Sequence, residues 1–450
     1  MNKKITILFC LTALLLGAGL RAAEDTATTP ARDAVNSAAD LVNSPYPEER
    51  VEGIRAYGML SDEGVIKDFK IIDTLLKIAK ESNYPIERSE ALKSLGSLIK
   101  KGFGSLNTLE FLVSVVINKD ERSIRVRNNA LMVIADLARA TKDSGPIVKS
   151  AFNALKKIWD KRKSGDTHPS MLENILDAMG GFADEDGTRK ILLEGLEEKY
   201  PSVREGALRG LRRYVEATKS TDKNILRDVT SALLRAKKAE RREEVVEAVL
   251  TLDALFANGA SPSGPETVKS LLELLETGGD VEAQAAVRVL LRIPSPSIVE
   301  AMIVASRPNK ERGWSFDTYH CLSKALAGIV STLSKGTASE ETADKIRDQF
   351  LWTLDPQKKM PDVMKKSAIF GLGYWPVTLD RQAIVKSLIG LLETEQNELL
   401  AKAIEESLEN LTNKHFRDGA DKPDLARWKE WYEKNSGTLA PGKTPWEMEK

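Results

Sequence analysis

The sequence predicts an all-α chain, a solenoid of about ten two-helix repeats, on three observations. A short template returns along the chain at a near-constant interval. The template carries the three- and four-residue spacing of a helix. No convincing run of alternating strand residues interrupts it anywhere in the 450 residues. The clearest copies are Arg50-Val51-Glu52-Gly53-Ile54-Arg55-Ala56-Tyr57-Gly58, Arg88-Ser89-Glu90-Ala91-Leu92-Lys93-Ser94-Leu95-Gly96 and Arg127-Asn128-Asn129-Ala130-Leu131-Met132-Val133-Ile134-Ala135. Two more are Arg204-Glu205-Gly206-Ala207-Leu208-Arg209-Gly210-Leu211 and Lys365-Lys366-Ser367-Ala368-Ile369-Phe370-Gly371-Leu372-Gly373. Degenerate copies centre on Ile175, Val245, Ala285, Cys321 or Ala325, and Ala403. Gly53 to Ala403 spans nine intervals of about 39 residues, a period in the range of helical solenoids.

Each template reads as the second helix of a pair. Amphipathic first helices precede several of them, at Ile71 to Ala79, Leu109 to Val116, Ile147 to Ile158, Val268 to Leu275 and Ile384 to Leu392. Pro47, Pro85, Pro201 and Pro361 punctuate the joints. On a helical wheel with the small residue (Ala91 or Ala130) at zero, the apolar residues one, four and eight places on fall in a single stripe. That stripe faces the paired helix and the next repeat, and the small residue lets two backbones approach. The Arg three places earlier falls inside the same stripe. Arg88, Arg127 and Arg204 are therefore expected to form a hydrogen-bond ladder between neighbouring repeats.

Balanced charge bounds the function. Lys plus Arg equals Asp plus Glu at 66 each, so no long-range field draws in nucleic acid or anionic lipid. Hydrophobic residues at 42% exclude a disordered chain. The N-terminus reads as a signal peptide over residues 1–23. Lys3 and Lys4 precede an apolar run from Ile5 to Leu20 that is short for a spanning helix, and small residues follow. Export to the periplasm or cell envelope is the expectation, with no integral membrane span in the mature chain. Once the leader is removed, Cys321 is the one remaining cysteine, so no internal disulfide forms. Residues 24–44, rich in Ala, Thr, Asp and Ser, are expected to be a flexible linker, and 45–412 the repeat array.

The template resembles HEAT repeats, most plainly at Val126-Arg127-Asn128-Asn129-Ala130 and Val203-Arg204-Glu205-Gly206-Ala207. The resemblance implies a right-handed α-α superhelix, an α-solenoid of about ten HEAT-like two-helix repeats that binds protein along a curved surface. Leu172 and Glu282 stand where the template has Arg, and the copy near Cys321 fits poorly. A second likeness lies in Leu411-Thr412-Asn413-Lys414-His415-Phe416 followed by Trp428-Lys429-Glu430-Trp431-Tyr432. It is similar to a closing motif of exported bacterial HEAT-like proteins, with Asn413 and Arg417 where that motif has Gly. It implies that Trp428, Trp431 and Tyr432, in the segment 413–436, cap the open end of the array, an end that solenoids must cover. Residues 437–450 read as a tail.

Little in the sequence supports catalysis, and no cofactor is expected. His168, His320 and His415 join no metal-ligand cluster, and neither a phosphate-cradling glycine loop nor a nucleophile elbow is present. Adjacent His320 and Cys321 diverge on a helix, so they form no nucleophile–base pair. The charge run Lys237 to Glu244 and the basic cluster Lys156, Lys157, Lys161, Arg162 and Lys163 read as solvated surface. The leading expectation is a non-catalytic exported scaffold that binds protein and no nucleic acid. Alternatives are a module for an envelope polymer or membrane surface, and an unrecognised enzyme or cofactor-processing protein. The wheel directs the residues two and six places after the small position away from the core. A basic sector at Arg209 and Arg213 and an apolar one at Val287, Leu291, Phe370 and Tyr374 then stand out, and Arg209, Arg213, Phe370 and Tyr374 are the expected partner contacts. The leader carries a direct test. Mass spectrometry of the native protein should find a mature start near Ala23 or Glu24, whereas intact Met1 to Leu20 in soluble cytoplasm would contradict export.

Overall fold

The architecture follows from one pattern repeated along the chain: an amphipathic helix, a short joint, then a helix with a small residue at its centre. The computed structural model describes residues 28–62, 70–100, 105–118, 120–140, 145–165, 167–262, 265–293, 295–307, 314–332, 337–376, 379–418 and 422–439. The expected signal peptide lies outside these residues, as does the tail beyond 439. The chain divides into two compact units, 1–232 and 233–450.

In the first unit the helices are α1 (Thr28–Val42), α2 (Pro47–Asp62), α3 (Lys70–Glu81), α4 (Pro85–Lys100), α5 (Leu106–Ile117), α6 (Ile124–Ala140), α7 (Pro146–Asp160), α8 (Pro169–Met179), α9 (Thr188–Gly195) and α10 (Pro201–Thr218). Helix α11 (Lys223–Lys238) carries the division. The second unit continues with α12 (Arg242–Ala257), α13 (Pro265–Thr277), α14 (Asp280–Leu290), α15 (Pro296–Ala305), α16 (Phe316–Thr332), α17 (Thr337–Leu354), α18 (Asp362–Gly373), α19 (Gln382–Thr394), α20 (Glu398–Thr412) and α21 (Leu425–Asn435). Proline opens seven of these helices, where its missing N–H costs nothing and its fixed φ suits the first turn. Within the first unit α2, α4, α6, α8 and α10 pack in series, each against the next, with the odd-numbered helices behind them. Within the second, α12, α14, α16, α18 and α20 do the same.

The flexible linker expected over 24–44 is corrected by α1. Ala34, Ala38, Leu41 and Val42 are buried, and α1 packs against α2. Small and polar residues suggest a linker by composition, yet these four fall at helical spacing on one face and supply the first layer of the stack.

Small residues set the closeness of the stack. Ala91, Ala130 and Ala207 are fully buried, as the wheel requires. The approach is tightest between α8 and α10. There a Cβ on Gly206 would overlap the carbonyl oxygen of Glu173, and one on Gly210 the carbonyl oxygen of Leu176. Polar groups reinforce the same seams. The Ser94 hydroxyl of α4 donates to the Ile54 carbonyl of α2 at 2.8 Å. The Asn129 amide of α6 donates to the Ser89 carbonyl of α4 at 2.9 Å, and the Ser407 hydroxyl of α20 to the Ile369 carbonyl of α18 at 3.0 Å.

The template arginines do two things. Each reaches back to carbonyls in the joint before its own helix: Arg50 to Ser44 and Pro45 at 3.0 and 2.9 Å, Arg88 to Ser82 at 2.7 Å, Arg127 to Asn118 at 2.7 Å, and Arg204 to Glu198 and Lys199 at 2.8 and 3.2 Å. Two of them also cross to the next repeat. Arg50 pairs with Glu87 at 2.8 Å, and Arg88 forms a two-pronged bond to Glu121 with its Nε and Nη2 each 3.0 Å from a carboxylate oxygen. Arg88 thus bonds across to the next repeat, whereas the bonds made by Arg127 and Arg204 described above are local.

At the C-terminus, Asn413 ends α20 in the left-handed conformation at φ 55, which asparagine tolerates. A short antiparallel hairpin follows, Arg417–Asp418 with Lys422–Pro423, which no residue pattern announces. Helix α21 then packs on α19. Trp428 is fully buried, edge-on to Phe416 with ring centroids 4.8 Å apart and to Trp431 at 6.3 Å. Trp431 and Tyr432 stay partly exposed, and the Tyr432 hydroxyl donates to the Gln382 carbonyl at 3.4 Å. Arg381, also fully buried, donates to the Leu411 carbonyl at 2.6 Å, and its backbone N–H donates to the Leu439 carbonyl. Burial holds the Arg381 pKa below its ordinary value.

Two substitutions test this packing. Ala130→Arg places a charge at a closed helix contact and should cost about 3 kcal/mol or more, read as a lower midpoint in circular dichroism melts. An unchanged melt would mean that Ala130 faces solvent. Trp428→Ala should cost about 3–5 kcal/mol through the cavity it leaves and the lost ring contacts. A denaturant midpoint equal to that of the unaltered protein would show that α21 adds nothing to the array.

Candidate binding face

Where the small residue of an even-numbered helix is buried, the residues two and six places beyond it are turned away from it, and each unit has its own even-helix face. In the first unit this face is a chain of alternating charges. Lys100 of α4 lies 3.5 Å from Asp136 of α6, and Asp136 lies 3.3 Å from Arg213 of α10. Arg213 in turn holds Asp177 of α8 at 2.7 Å. Arg209 reaches Asp177 at 3.7 Å and Glu173 at 2.6 Å. Near the start of the unit, Arg55 and Arg125 both converge on Glu90, at 3.3 and 2.6 Å. Arg209 and Arg213 therefore do not form the basic sector that the wheel suggested. Their guanidinium groups are about four-fifths covered and are neutralised by acids from neighbouring repeats.

In the second unit the face changes character. On α14 the expected exposure of Val287 is overturned: it is buried, and Leu291 is only half-exposed. Ala283, Ala285 and Ala286 are all buried on this helix, so the small position does not fix its phase, and a shift of one residue turns the wheel by about 100°. Arg288 and Arg292 emerge instead, with Arg292 paired to Asp253.

Helices α16 and α18 carry an aromatic cluster. The His320 ring stacks on Phe316 with centroids 5.4 Å apart and planes at 16°, and Phe370 meets His320 edge-on at 5.3 Å. Tyr374, 50% exposed, lies beside them. Two ammonium groups sit over the rings. Lys324 Nζ is 5.6 Å from the Tyr374 centroid, and Lys366 Nζ is 5.4 Å from Phe316 and 5.9 Å from Phe370. Burial, and then Lys324, push the His320 pKa below its ordinary value, against the opposing pull of Asp317. His320 is thus held neutral at neutral pH, as an aromatic member of the cluster. Of the residues expected to contact a partner, Phe370 lies in this cluster and Tyr374 under Lys324 at its edge. Phe316 and Lys324 were missed because the degenerate template around Cys321 hides their phase, and Lys366 although it lies in a clear template copy four residues before Phe370, a helical signal that could have found it.

The other chemistry-bearing residues serve local structure. His168 caps α8, accepting from the Ser170 N–H at 3.2 Å. His415 lies 2.8 Å from Glu409. Cys321 is half-exposed, and burial raises its thiol pKa despite Arg288 and Lys324 nearby, so it is a weak nucleophile. Arg162 of the basic cluster stacks 4.0 Å over Trp159 and pairs with Glu194 and Glu198. Among the described residues no group of three or more His, Cys, Asp or Glu side chains is placed to hold a metal ion, and no helix is long and apolar enough to cross a membrane.

No family model matches the chain, and no curated protein matches its sequence. Solved structures do resemble it. Importin beta crystallised in a polyethylene glycol condition aligns with a TM-score of 0.56 at 13% identity, over 96% of this chain and 60% of its own. Importin beta in an ammonium sulfate condition aligns with a TM-score of 0.55 at 13% identity, over 91% of this chain and 56% of its own. Kap95 in its complex with Nup1 gives 0.55 at 11%, over 89% and 56%. The chain spans less than two thirds of the length of these proteins, and at such identities the likeness is one of fold. Serial packing of small-centred helices and these alignments lead to one conclusion: the chain is an all-α protein with the fold of a HEAT-repeat α-solenoid.

Proposed function

We propose that the chain is a non-catalytic protein-binding scaffold, exported to the periplasm or cell envelope, that holds a protein partner on the even-helix face of its second unit. The observation that carries this reading is the cluster of Phe316, His320, Phe370 and Tyr374. Aromatic side chains left partly open on a helix face, with cations above them, have the composition of binding hot spots. The fold supports it too, since Kap95, which shares the fold, forms a complex with the protein Nup1. Export rests on the leader-like start of the sequence, and the cap role on the burial of Trp428 of α21, which packs on α19. Phe370 and Tyr374 remain the partner contacts in this reading. Arg209 and Arg213 are reassigned to joining α10 to α6 and α8, because acids already occupy their donors.

Crosslinking tests the assignment. A photoreactive phenylalanine analogue at Tyr374 should capture a protein from envelope extract, and the Phe370→Ala/Tyr374→Ala variant, still folded by circular dichroism, should lose at least about tenfold in affinity for that protein. Arg209→Glu, which sets two acids against each other at Glu173, should lower the melting midpoint and leave binding unchanged. If the aromatic variant keeps full binding while substitutions at Leu272 or Val304, in the cleft between α13 and α15, abolish it, the odd-helix side is the working surface and this assignment is wrong.

A further inference from the structure

Seven cations on even helices elsewhere in the chain are matched by acids, although Lys93 of α4 is exposed with no ion pair among the described residues. Arg55, Arg125, Lys100, Arg209, Arg213, Arg242 and Arg292 each lie within 4.0 Å of a carboxylate oxygen. The pattern breaks at three successive even helices of the second unit. Arg288 of α14, Lys324 of α16 and Lys366 of α18 form no ion pair among the described residues. Lys324 and Lys366 stand over the rings of one cluster, and Arg288 lies on the even helix before it, so the three occupy successive even helices as a row. Asp317 is the acid that also acts on His320, and it lies on the same helix. The rings of Phe316, Phe370 and Tyr374 lie directly under the two ammonium groups.

We propose that this row takes an acidic polypeptide segment that carries apolar or aromatic side chains. The proposal rests on the protein-binding reading above and names the partner's chemistry. Two features of the face select it. Uncompensated positive charge favours a ligand that brings carboxylates, and the half-open Tyr374 and Phe370 rings offer apolar area between the charges. Carboxylates of the segment pair with Lys324, Lys366 and Arg288, and an apolar side chain lies on Tyr374 and Phe370. A single file of cations, one per repeat and bordered by Asp317, matches charges strung along a chain. A lipid surface calls instead for a broad cluster of basic residues.

The test uses the full mature chain and fluorescence anisotropy. One labelled peptide alternates glutamate with leucine and phenylalanine, and its counterpart carries lysine for glutamate. The acidic peptide should bind, and more weakly as salt is raised. The Lys324→Glu/Lys366→Glu variant, still folded by circular dichroism, should weaken it at least about tenfold, whereas the Lys324→Gln/Lys366→Gln variant, which removes the charges without reversing them, should weaken it less. Equal binding of the lysine peptide, or unaltered binding of the acidic peptide by the Lys324→Glu/Lys366→Glu variant, overturns the proposal. So does binding to phosphatidylglycerol vesicles without binding to the acidic peptide, which would assign the row to anionic lipid. The crosslink at Tyr374 separates this proposal from the one beneath it. A captured protein whose crosslinked segment is neutral or basic overturns the acidic assignment and leaves the scaffold reading standing, whereas a partner held elsewhere with no crosslink at Tyr374 overturns both.

Discussion

Close approach of successive even-numbered helices is the constraint on which the rest of the structure depends. No single pair of helices here can bury its own apolar stripe, so each pair uses the next as its wall. The wall works only where a small residue lets two backbones meet. Between α8 and α10 the meeting is so close that Gly206 and Gly210 have no room for a Cβ against the carbonyls of Glu173 and Leu176. Ala91, Ala130 and Ala207 are fully buried on their own helices, and the Ala207 methyl sits against Gly195 of α9.

Contact at that depth fixes everything that emerges around it. Once the small residue is pinned inside, Ser94 and Ser407 are placed to donate to the carbonyls of the preceding even helix. Arg50 and Arg88 are placed to tie the joint before their own helix to an acid of the next repeat. The outward positions follow from the same phase. In the first unit they alternate in sign and lock to each other from Lys100 to Glu173, a network worth more for register between repeats than for net stability. On α16 and α18 they are rings and lysines without that internal match, and the difference between these two surfaces is the basis for assigning function to the second.

Much of this was legible in the sequence. The template, its period and its wheel place the buried small residue correctly at Ala91 and Ala130, with Lys93 and Met132 exposed two places on. The phase failed on α14, where Ala283, Ala285 and Ala286 offer three small residues and all three are buried. Helix α1 was hidden by composition, since Ala, Ser, Thr and Asp serve linkers and small-residue helices alike. The charge state of the face was out of reach for a different reason. Whether Arg213 is a free cation or half of an ion pair depends on Asp136 and Asp177, which lie on other repeats, and a one-helix wheel contains no information about them. The same limit hid Phe316 and His320, which join Phe370 only across two helices.

Hydrogen exchange on a Gly210→Leu variant tests the central claim most directly. If close backbone approach holds the stack together, the leucine must drive α10 away from α8, and amide protection should fall in both helices, with a lower melting midpoint, because each uses the other as its wall. Protection in α8 and α10 equal to that of the unaltered chain, with the same midpoint, would contradict the account: the repeats would then be held by their side-chain ladders, and the small residues would be incidental.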